Sequence, residues 1–267
     1  MRLSIMDEST QIPNLKTNKV LVNVILDRSG SMASTRALTI SGYNEYINGL
    51  RFDKDTEYSV SLVQFDAPVL APELTVSYLD RGLADVPALS AADYEPRGNT
   101  PLYDAIGECL RRIEAKSRAI IVLIITDGME NASAEFTKES IKALIKSKEA
   151  EGWTFAFLGA NIDSFGVGGS IGIAPGNIAN YVQGNEELMF GALIDATVVR
   201  AHVARQAGIQ PASFGAFLSQ DQQEELAGGT KGGLPPAQPS FRSGSPKPVV
   251  LPEKVESNPR NWRIATN

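Results

Sequence analysis

Apolar stretches alternate with amphipathic stretches along most of the chain. Residues 57–65 alternate between apolar and polar and are rich in Val and aromatic residues, and a weaker run covers residues 68–79. Near-continuous apolar runs cover residues 19–27, 118–128 and 153–161. Such runs are typical of strands in a sheet that is covered on both faces. Apolar positions at helical spacing occupy residues 33–51, 101–115, 135–152 and 186–206.

The order of these segments predicts the fold class. Strands that alternate with helices indicate an α/β protein with a doubly wound, mostly parallel central sheet flanked by helices, a Rossmann-like arrangement. The glycine-rich residues 164–183 favour a loop. In open sheets of this class, ligands bind just beyond the carboxyl ends of the strands, so that edge is where a functional site is expected.

Composition divides the chain into four parts. Residues 1–18 are polar and predict an N-terminal arm, and residues 19–207 contain the predicted strands and helices. Residues 208–227 predict a linker with a short helix. Residues 228–267 form an extended tail that is dense in Gly, Pro and Ser and cannot bury enough apolar area to order itself alone.

Charge is distributed unevenly between the tail and the rest of the chain. The net charge of −6 argues against a general nucleic-acid-binding protein. The tail holds six basic and two acidic residues, a net charge of +4, which leaves −10 for the rest. Three arrangements of the tail are open: it wraps a neighbouring subunit, it folds back on its own domain, or it stays disordered. The charge split favours docking on an acidic protein surface.

Scarce residue types exclude several kinds of site. Cys109 is the only cysteine, which excludes an internal disulfide and a multi-cysteine metal site, and His202 is the only histidine, which excludes a histidine-cluster zinc site. No apolar run reaches membrane-spanning length, and the first residues lack the pattern of a secretory signal. We therefore expect no membrane partner and a cytoplasmic location, or a place in the virion if the protein is phage-encoded.

Small oxygen-bearing side chains are concentrated at the predicted carboxyl edge of the sheet. The first strand ends at Asp27 and is followed by Ser29 and Ser31, Thr100 precedes a helix, and Asp127 stands where the strand within residues 118–128 ends. Together they offer two carboxylates and three hydroxyls, without nitrogen or sulfur. Such a set suits a small hard cation, with Mg²⁺ or Mn²⁺ ahead of Ca²⁺. The two-residue spacing lets side chains 27, 29 and 31 turn toward one centre.

These residues resemble a known family motif. The von Willebrand factor type A (VWA) domains carry a metal-ion-dependent adhesion site (MIDAS) written Asp-x-Ser-x-Ser, then a distant Thr, then a distant Asp. Asp27, Ser29, Ser31, Thr100 and Asp127 match every element in that order. The resemblance covers residues 19–207. Because no secretory signal is present, the chain looks like the intracellular members found in bacteria and phages.

The resemblance implies a role for each of the five residues. The hydroxyls of Ser29 and Ser31 would coordinate Mg²⁺ directly, Thr100 directly or through water, and Asp27 and Asp127 directly or through bridging waters. Family members leave one metal vertex for a carboxylate of a partner protein. Neutral hydroxyl ligands leave a cation under-neutralised, so an Asp or Glu from a partner would complete its charge and its octahedron.

Ordinary structural roles compete with this interpretation. Ser29, Ser31 and Thr100 precede predicted helices and are natural N-cap residues. Asp104 falls in the first turn of a helix and is expected to be structural, while Asp66 and Asp163 are expected to be charges at the rim. Arg28 and Met129 interrupt the two key loops and are the candidates for contact with a partner.

Three functions are open to such a site. The first is a metal-dependent protein-interaction module without catalytic activity, acting as an accessory subunit of a larger assembly. The second is a structural component of a bacterial or phage particle, in which the tail mediates assembly and the metal site is secondary. The third is a Mg²⁺-dependent phosphohydrolase of the haloacid dehalogenase type, which needs an aspartate where this chain has Ser29. The first hypothesis is the one that the full motif favours.

Overall fold

A computed structural model describes residues 16–68, 73–114, 118–209 and 215–228 and the backbone of residues 263–266. The strands are β1 (Lys19–Asp27), β2 (Glu57–Asp66), β3 (Glu73–Gly82), β4 (Ala119–Thr126), β5 (Thr154–Ala160), β6 (Ile178–Tyr181) and β7 (Arg263–Thr266). The α-helices are α1 (Arg36–Leu50), α2 (Leu102–Arg112), α3 (Lys138–Ala150), α4 (Ser164–Ser170), α5 (Glu186–Ala207) and α6 (Gln220–Leu226). A 3-10 helix at Gly30–Thr35 leads into α1.

The strands form one sheet in the order β6-β5-β4-β1-β2-β3-β7. Neighbouring strands pair in parallel except for β2 and β3, which are antiparallel. Helices cover both faces of the six strands between residues 19 and 181. The predicted fold class, a doubly wound and mostly parallel sheet flanked by helices, is therefore confirmed.

Alternating side chains of β1 divide the hydrophobic core into two halves. Val20, Val22, Val24 and Leu26 lie in the half that contains residues of α1 and α5, whereas Ile25 lies in the half that contains residues of α2 and α3. Because both faces are buried, β1 must be apolar at almost every position, which produces the continuous run seen in the sequence. Cys109 packs in the second half as a buried free thiol.

Two elements lie where the sequence favours a loop. Within residues 164–183 the structure forms α4 and the short strand β6, which pairs with β5. Three of the seven residues of α4 are glycines, so helical propensity is low. The side chain of Asp163, expected to be a rim charge, accepts a hydrogen bond from the Gly166 amide at 2.9 Å and caps this helix.

The C-terminal parts of the chain contribute two small elements. Helix α6 lies within the predicted linker and begins with a capping box formed by Ser219 and Gln222. The four residues of β7 pair in parallel with Glu73–Val76 of β3, so this piece of the tail returns to its own domain. Residues 1–15 and 229–262, which include most of the predicted arm and tail, lie outside the described residues. Across the described part of the chain, every helix is too short or too polar to cross a membrane.

Candidate metal centre

The predicted site residues meet at the carboxyl edge of the sheet. Asp27 is the last residue of β1, and Asp127 directly follows β4. Because β1 and β4 are parallel neighbours with Leu26 opposite Ile125, these two acids leave the sheet side by side. Thr100 lies two residues before α2 in the loop that follows β3. The topology therefore brings together three loops that are far apart in sequence.

Hydrogen bonds link four of the five residues. The Ser31 hydroxyl donates to Asp127 Oδ1 at 2.5 Å, and Ser29 Oγ lies 3.0 Å from Ser31 Oγ. The backbone amide of Ser29 donates to Asp27 Oδ1 at 2.6 Å. Asp27, Ser29 and Asp127 are buried, whereas Ser31 is exposed, so the cluster reaches the surface at Ser31.

Thr100 joins the cluster across Gly128. A Cβ atom added to Gly128 would lie 2.5 Å from Thr100 Oγ1 and 3.4 Å from Asp27 Oδ2. Any side chain at residue 128 would therefore collide with Thr100. Glycine lets the loop after β4 pass close to both oxygens. The position of Thr100 is fixed by Asn131. The Thr100 amide donates to Asn131 Oδ1 at 2.8 Å, and the Asn131 amide donates to the Thr100 carbonyl at 3.1 Å.

The competing capping roles do not appear in the structure. Ser29 precedes the 3-10 helix, yet its side chain makes no capping hydrogen bond. The N-cap position of α2 belongs to Pro101 rather than to Thr100. Neither Ser29 nor Thr100 therefore caps a helix, and the Ser29 hydroxyl lies against the Ser31 hydroxyl instead.

Burial shapes the electrostatics of the two acids. Burial raises the pKa of Asp27 to about 6, although hydrogen bonds from Thr126 and Ser29 oppose the rise. Burial also raises the pKa of Asp127, against the hydrogen bond from Ser31. Two neighbouring buried carboxylates are costly to ionise together, and a bound cation would remove that cost.

The residues present fit a hard divalent cation. Five oxygen-bearing side chains converge, two of them carboxylates. Within the described ranges, no group of three or more His, Cys, Asp and Glu residues could hold a metal ion. The other three oxygens offered by this cluster belong to the hydroxyls of Ser29, Ser31 and Thr100. Hydroxyl and carboxylate oxygens favour Mg²⁺, Mn²⁺ or Ca²⁺ over softer ions.

Two residues that support Asp27 were not predicted from the sequence. The Thr126 hydroxyl donates to Asp27 Oδ2 at 2.5 Å, and the Tyr94 hydroxyl donates to the Asp27 carbonyl at 2.7 Å. Thr126 ends β4 beside Asp27, and the strand register could have revealed it. Tyr94 comes from the long connection between β3 and α2, and no local pattern links it to the site.

Arg28 does not meet the expectation that it contacts a partner. Its side chain is only 9% exposed, and Nη2 lies 2.9 Å from Asp66 Oδ1 and 3.0 Å from Thr75 Oγ1. Arg97 Nε lies 2.6 Å from the other oxygen of Asp66. Asp66, expected at the rim, is fully buried. The side chain of Arg28 is directed away from those of its neighbours in the motif. It contacts Asp66 of β2 and Thr75 of β3 instead of the surface.

Met129 and Asp104 differ in exposure. Met129 is 65% exposed two residues after Asp127, and its contact with a partner stays a prediction. Asp104 is buried and accepts hydrogen bonds from the amides of Ala134, Glu135 and Phe136 at 2.7, 2.9 and 2.6 Å. It therefore ties α2 to the loop before α3, in agreement with a structural role.

Comparisons with known proteins bear on the fold. No protein-family model and no curated protein sequence matches the chain. Solved structures are similar at low identity. The von Willebrand factor-type domain of the type V pilus tip protein of Porphyromonas gingivalis superposes with a TM-score of 0.52 at 11% identity, over 72% of this chain and 96% of that one.

Two longer proteins contain a similar domain. Proximal thread matrix protein 1 of the mussel byssus gives a TM-score of 0.51 at 13% identity, over 66% of this chain and 45% of that one. The pilus adhesin SpaC of Lactobacillus rhamnosus GG, in its open conformation, gives a TM-score of 0.50 at 12% identity. The match covers 68% of this chain and 30% of that one. The chain thus spans less than half the length of either protein. Sheet order and superposition agree that it has the VWA fold.

Proposed function

We propose that this chain is a metal-dependent protein-interaction module that binds a carboxylate of a partner through a MIDAS. The observation that carries the proposal is the convergence of Asp27, Ser29, Ser31, Thr100 and Asp127 on one edge of a VWA fold. Two of the three similar structures described above are pilus proteins by name, and one of these is called an adhesin. Adhesive binding is thus compatible with the fold.

The proposed cation is Mg²⁺, with Mn²⁺ or Ca²⁺ as alternatives. Ser29 and Ser31 would supply hydroxyl oxygens, Thr100 a third, and Asp27 and Asp127 the negative charge. Few, short oxygen ligands around a rigid centre favour the smaller ion. The exposed side of the cluster at Ser31 leaves a direction from which a carboxylate of a partner could approach, and Met129 stands at its rim.

The arrangement around Asp27 argues against a phosphohydrolase. Residue 29, where such an enzyme needs a second acid, supplies a hydroxyl bonded to Ser31. We therefore propose a binding function without catalysis.

Calorimetric titration of Mg²⁺, and then of Mn²⁺, into the full chain tests the metal site. We expect binding by the wild-type chain and its loss in the Ser29→Ala/Ser31→Ala variant. The matched control is Ser41→Ala, an exposed serine on α1 whose hydroxyl bonds only within its own helix turn to the Leu38 carbonyl. Equal binding by the wild-type chain and the double variant would refute the ligand assignment.

Capture of a partner from the native source, with and without chelator, tests the interaction. Release of the partner by chelator, and no capture by the double serine variant, would support a MIDAS-type contact. Retention despite chelator would favour the second candidate, a structural subunit whose tail mediates assembly. The charge of +4 on residues 228–267 motivates that candidate, with an acidic neighbouring surface as the proposed docking partner.

A further inference from the structure

A second polar site lies on the face of the sheet that α2 covers. A cavity of about 190 Å³ opens between the first three strands and the end of α2. Its polar lining is Asn23, Ser61, Asp80, Arg112, Glu114 and Arg118. This volume would hold on the order of six water molecules, or a small organic molecule.

Asn23 lines this cavity and has a side-chain amide without a hydrogen-bond partner among the described residues. It lies in the middle of β1 and is fully buried, and neither Nδ2 nor Oδ1 has a hydrogen-bond partner among the described residues. The Nε atom of Arg118, on another wall, also has no partner among them. Buried polar groups are almost always paired in folded proteins, so three unpaired atoms around one cavity need an explanation.

The walls of the cavity are built around irregular backbone. Asp80 has a φ of 47°, a left-handed conformation that residues other than glycine rarely adopt. Its amide donates to Ser61 Oγ at 2.9 Å, and Arg118 Nη1 donates to its carboxylate at 2.5 Å. The pairing of β2 with β3 shifts register on both sides of Leu62. Bulges and strained residues of this kind cluster at binding sites.

The chemistry of the walls favours a neutral ligand. Two arginines and two acids line the cavity, so their formal charges cancel. The free groups are an amide N–H pair, an amide oxygen and a guanidinium N–H. A molecule with a carbonyl next to an N–H complements an amide in both directions, and Leu21, Leu79 and Ile113 would contact its apolar part.

We infer that this cavity binds a small neutral molecule that carries an amide or lactam group, held by Asn23 and Arg118. The inference is independent of the proposed metal site. Asn23 precedes Asp27 by four residues of extended strand, a separation of about 13 Å. Metal binding and amide binding can therefore fail separately.

A titration of the ¹⁵N-labelled full chain with 2-pyrrolidinone, uracil and benzamide, followed by NMR, tests the inference. We expect at least one of these probes to shift the side-chain NH₂ resonances of Asn23 in a saturable way. Cyclopentanone, which has the ring and the carbonyl of 2-pyrrolidinone without the N–H, should bind more weakly, because nothing in it donates to Asn23 Oδ1. No shift with any amide probe at its solubility limit would overturn the inference, and this measurement needs no variant.

Variants then localise the binding. Asn23→Leu should weaken binding of the active probe about tenfold or more, because two hydrogen bonds are lost. The control Asn48→Leu, at an exposed position of α1, should bind as the wild-type chain does. Asn23→Val, suited to a strand, replaces the leucine variant if that one does not fold. Undiminished binding by a folded Asn23 variant would place the ligand elsewhere and also overturn the inference.

Discussion

Asp27 and Asn23 occupy the same face of β1, and both are fully buried. They differ in whether their polar side-chain atoms have hydrogen-bond partners. Both carboxylate oxygens of Asp27 accept hydrogen bonds, and its carbonyl accepts a third from Tyr94. Both amide atoms of Asn23 lack partners among the described residues. Burial by itself therefore does not reveal what a polar residue does. The hydrogen-bond partners of the residue make the distinction. Asp27 is held in place by its neighbours, whereas Asn23 still has a donor and an acceptor available for a ligand.

The largest effect on stability is expected from Arg28→Ala, at the supported end of β1. The substitution leaves the buried carboxylate of Asp66 with Arg97 alone, and we expect the free energy of unfolding to fall by about 3 kcal/mol. Urea denaturation measures this loss. Arg97→Ala is the matched control, and it should cost less because that side chain is 43% exposed. An Arg28→Ala chain as stable as wild type would show that the ion pairs of Asp66 contribute little to the free energy of unfolding.

Asp27→Ala should cost about 2 kcal/mol, because the Ser29 amide and the Thr126 hydroxyl lose their acceptor. It should also abolish metal binding. Asp27→Asn separates the two effects, since its amide oxygen still accepts one hydrogen bond while the charge is gone. Denaturation and calorimetry on both variants measure stability and affinity. If Asp27→Asn binds the cation with wild-type affinity, Asp27 is not part of the metal site.

Asn23→Leu should change stability in the opposite direction. Removing an unpaired buried amide is expected to raise the free energy of unfolding by about 1 kcal/mol in the absence of ligand, because the adjacent cavity accommodates the larger side chain. The same denaturation experiment measures it. A clear destabilisation would mean that the amide is paired in solution, and the contrast with Asp27 would disappear.

Asp127→Ala should have the smallest effect on stability, about 0.5 kcal/mol, since its side chain accepts a single side-chain hydrogen bond, from Ser31, which is exposed. Metal binding should nevertheless be lost, because one of the two carboxylates is gone. Calorimetry and denaturation on one preparation check both statements. Unfolding of this variant would contradict its assignment as a ligand that contributes little to the fold.

The sheet, and the meeting of Asp27, Ser29, Ser31, Thr100 and Asp127 at its carboxyl edge, could be predicted because strands and strand ends are visible in local sequence. Their role as metal ligands stays a prediction. A strand buried on both faces must be continuously apolar, so β1, β4 and β5 stand out, and the polar residues that end β1 and β4 mark the edge. Helix α4 and strand β6 could not be predicted, since they are short and glycine-rich or bordered by Gly and Pro. Their stability comes from contacts with β5 rather than from their own sequence.

The supporting residues could not be predicted for a different reason. Arg28 lies inside the motif, and only the three-dimensional path of β2 and β3 shows that it turns inward to Asp66. Tyr94 reaches Asp27 from 67 residues away. Asn23 stands out in an apolar run, but its significance depends on a cavity whose walls come from β2, β3 and the end of α2.

The parallel pairing of β7 with β3 has a consequence for handling the protein. Without β7, the backbone N–H and C=O groups of Glu73–Val76 that it pairs would form an open sheet edge. Open edges recruit strands from other molecules and lead to aggregation. Strand β7 therefore covers this part of the sheet edge. A chain shortened before Arg263 would be expected to self-associate even though its core is intact.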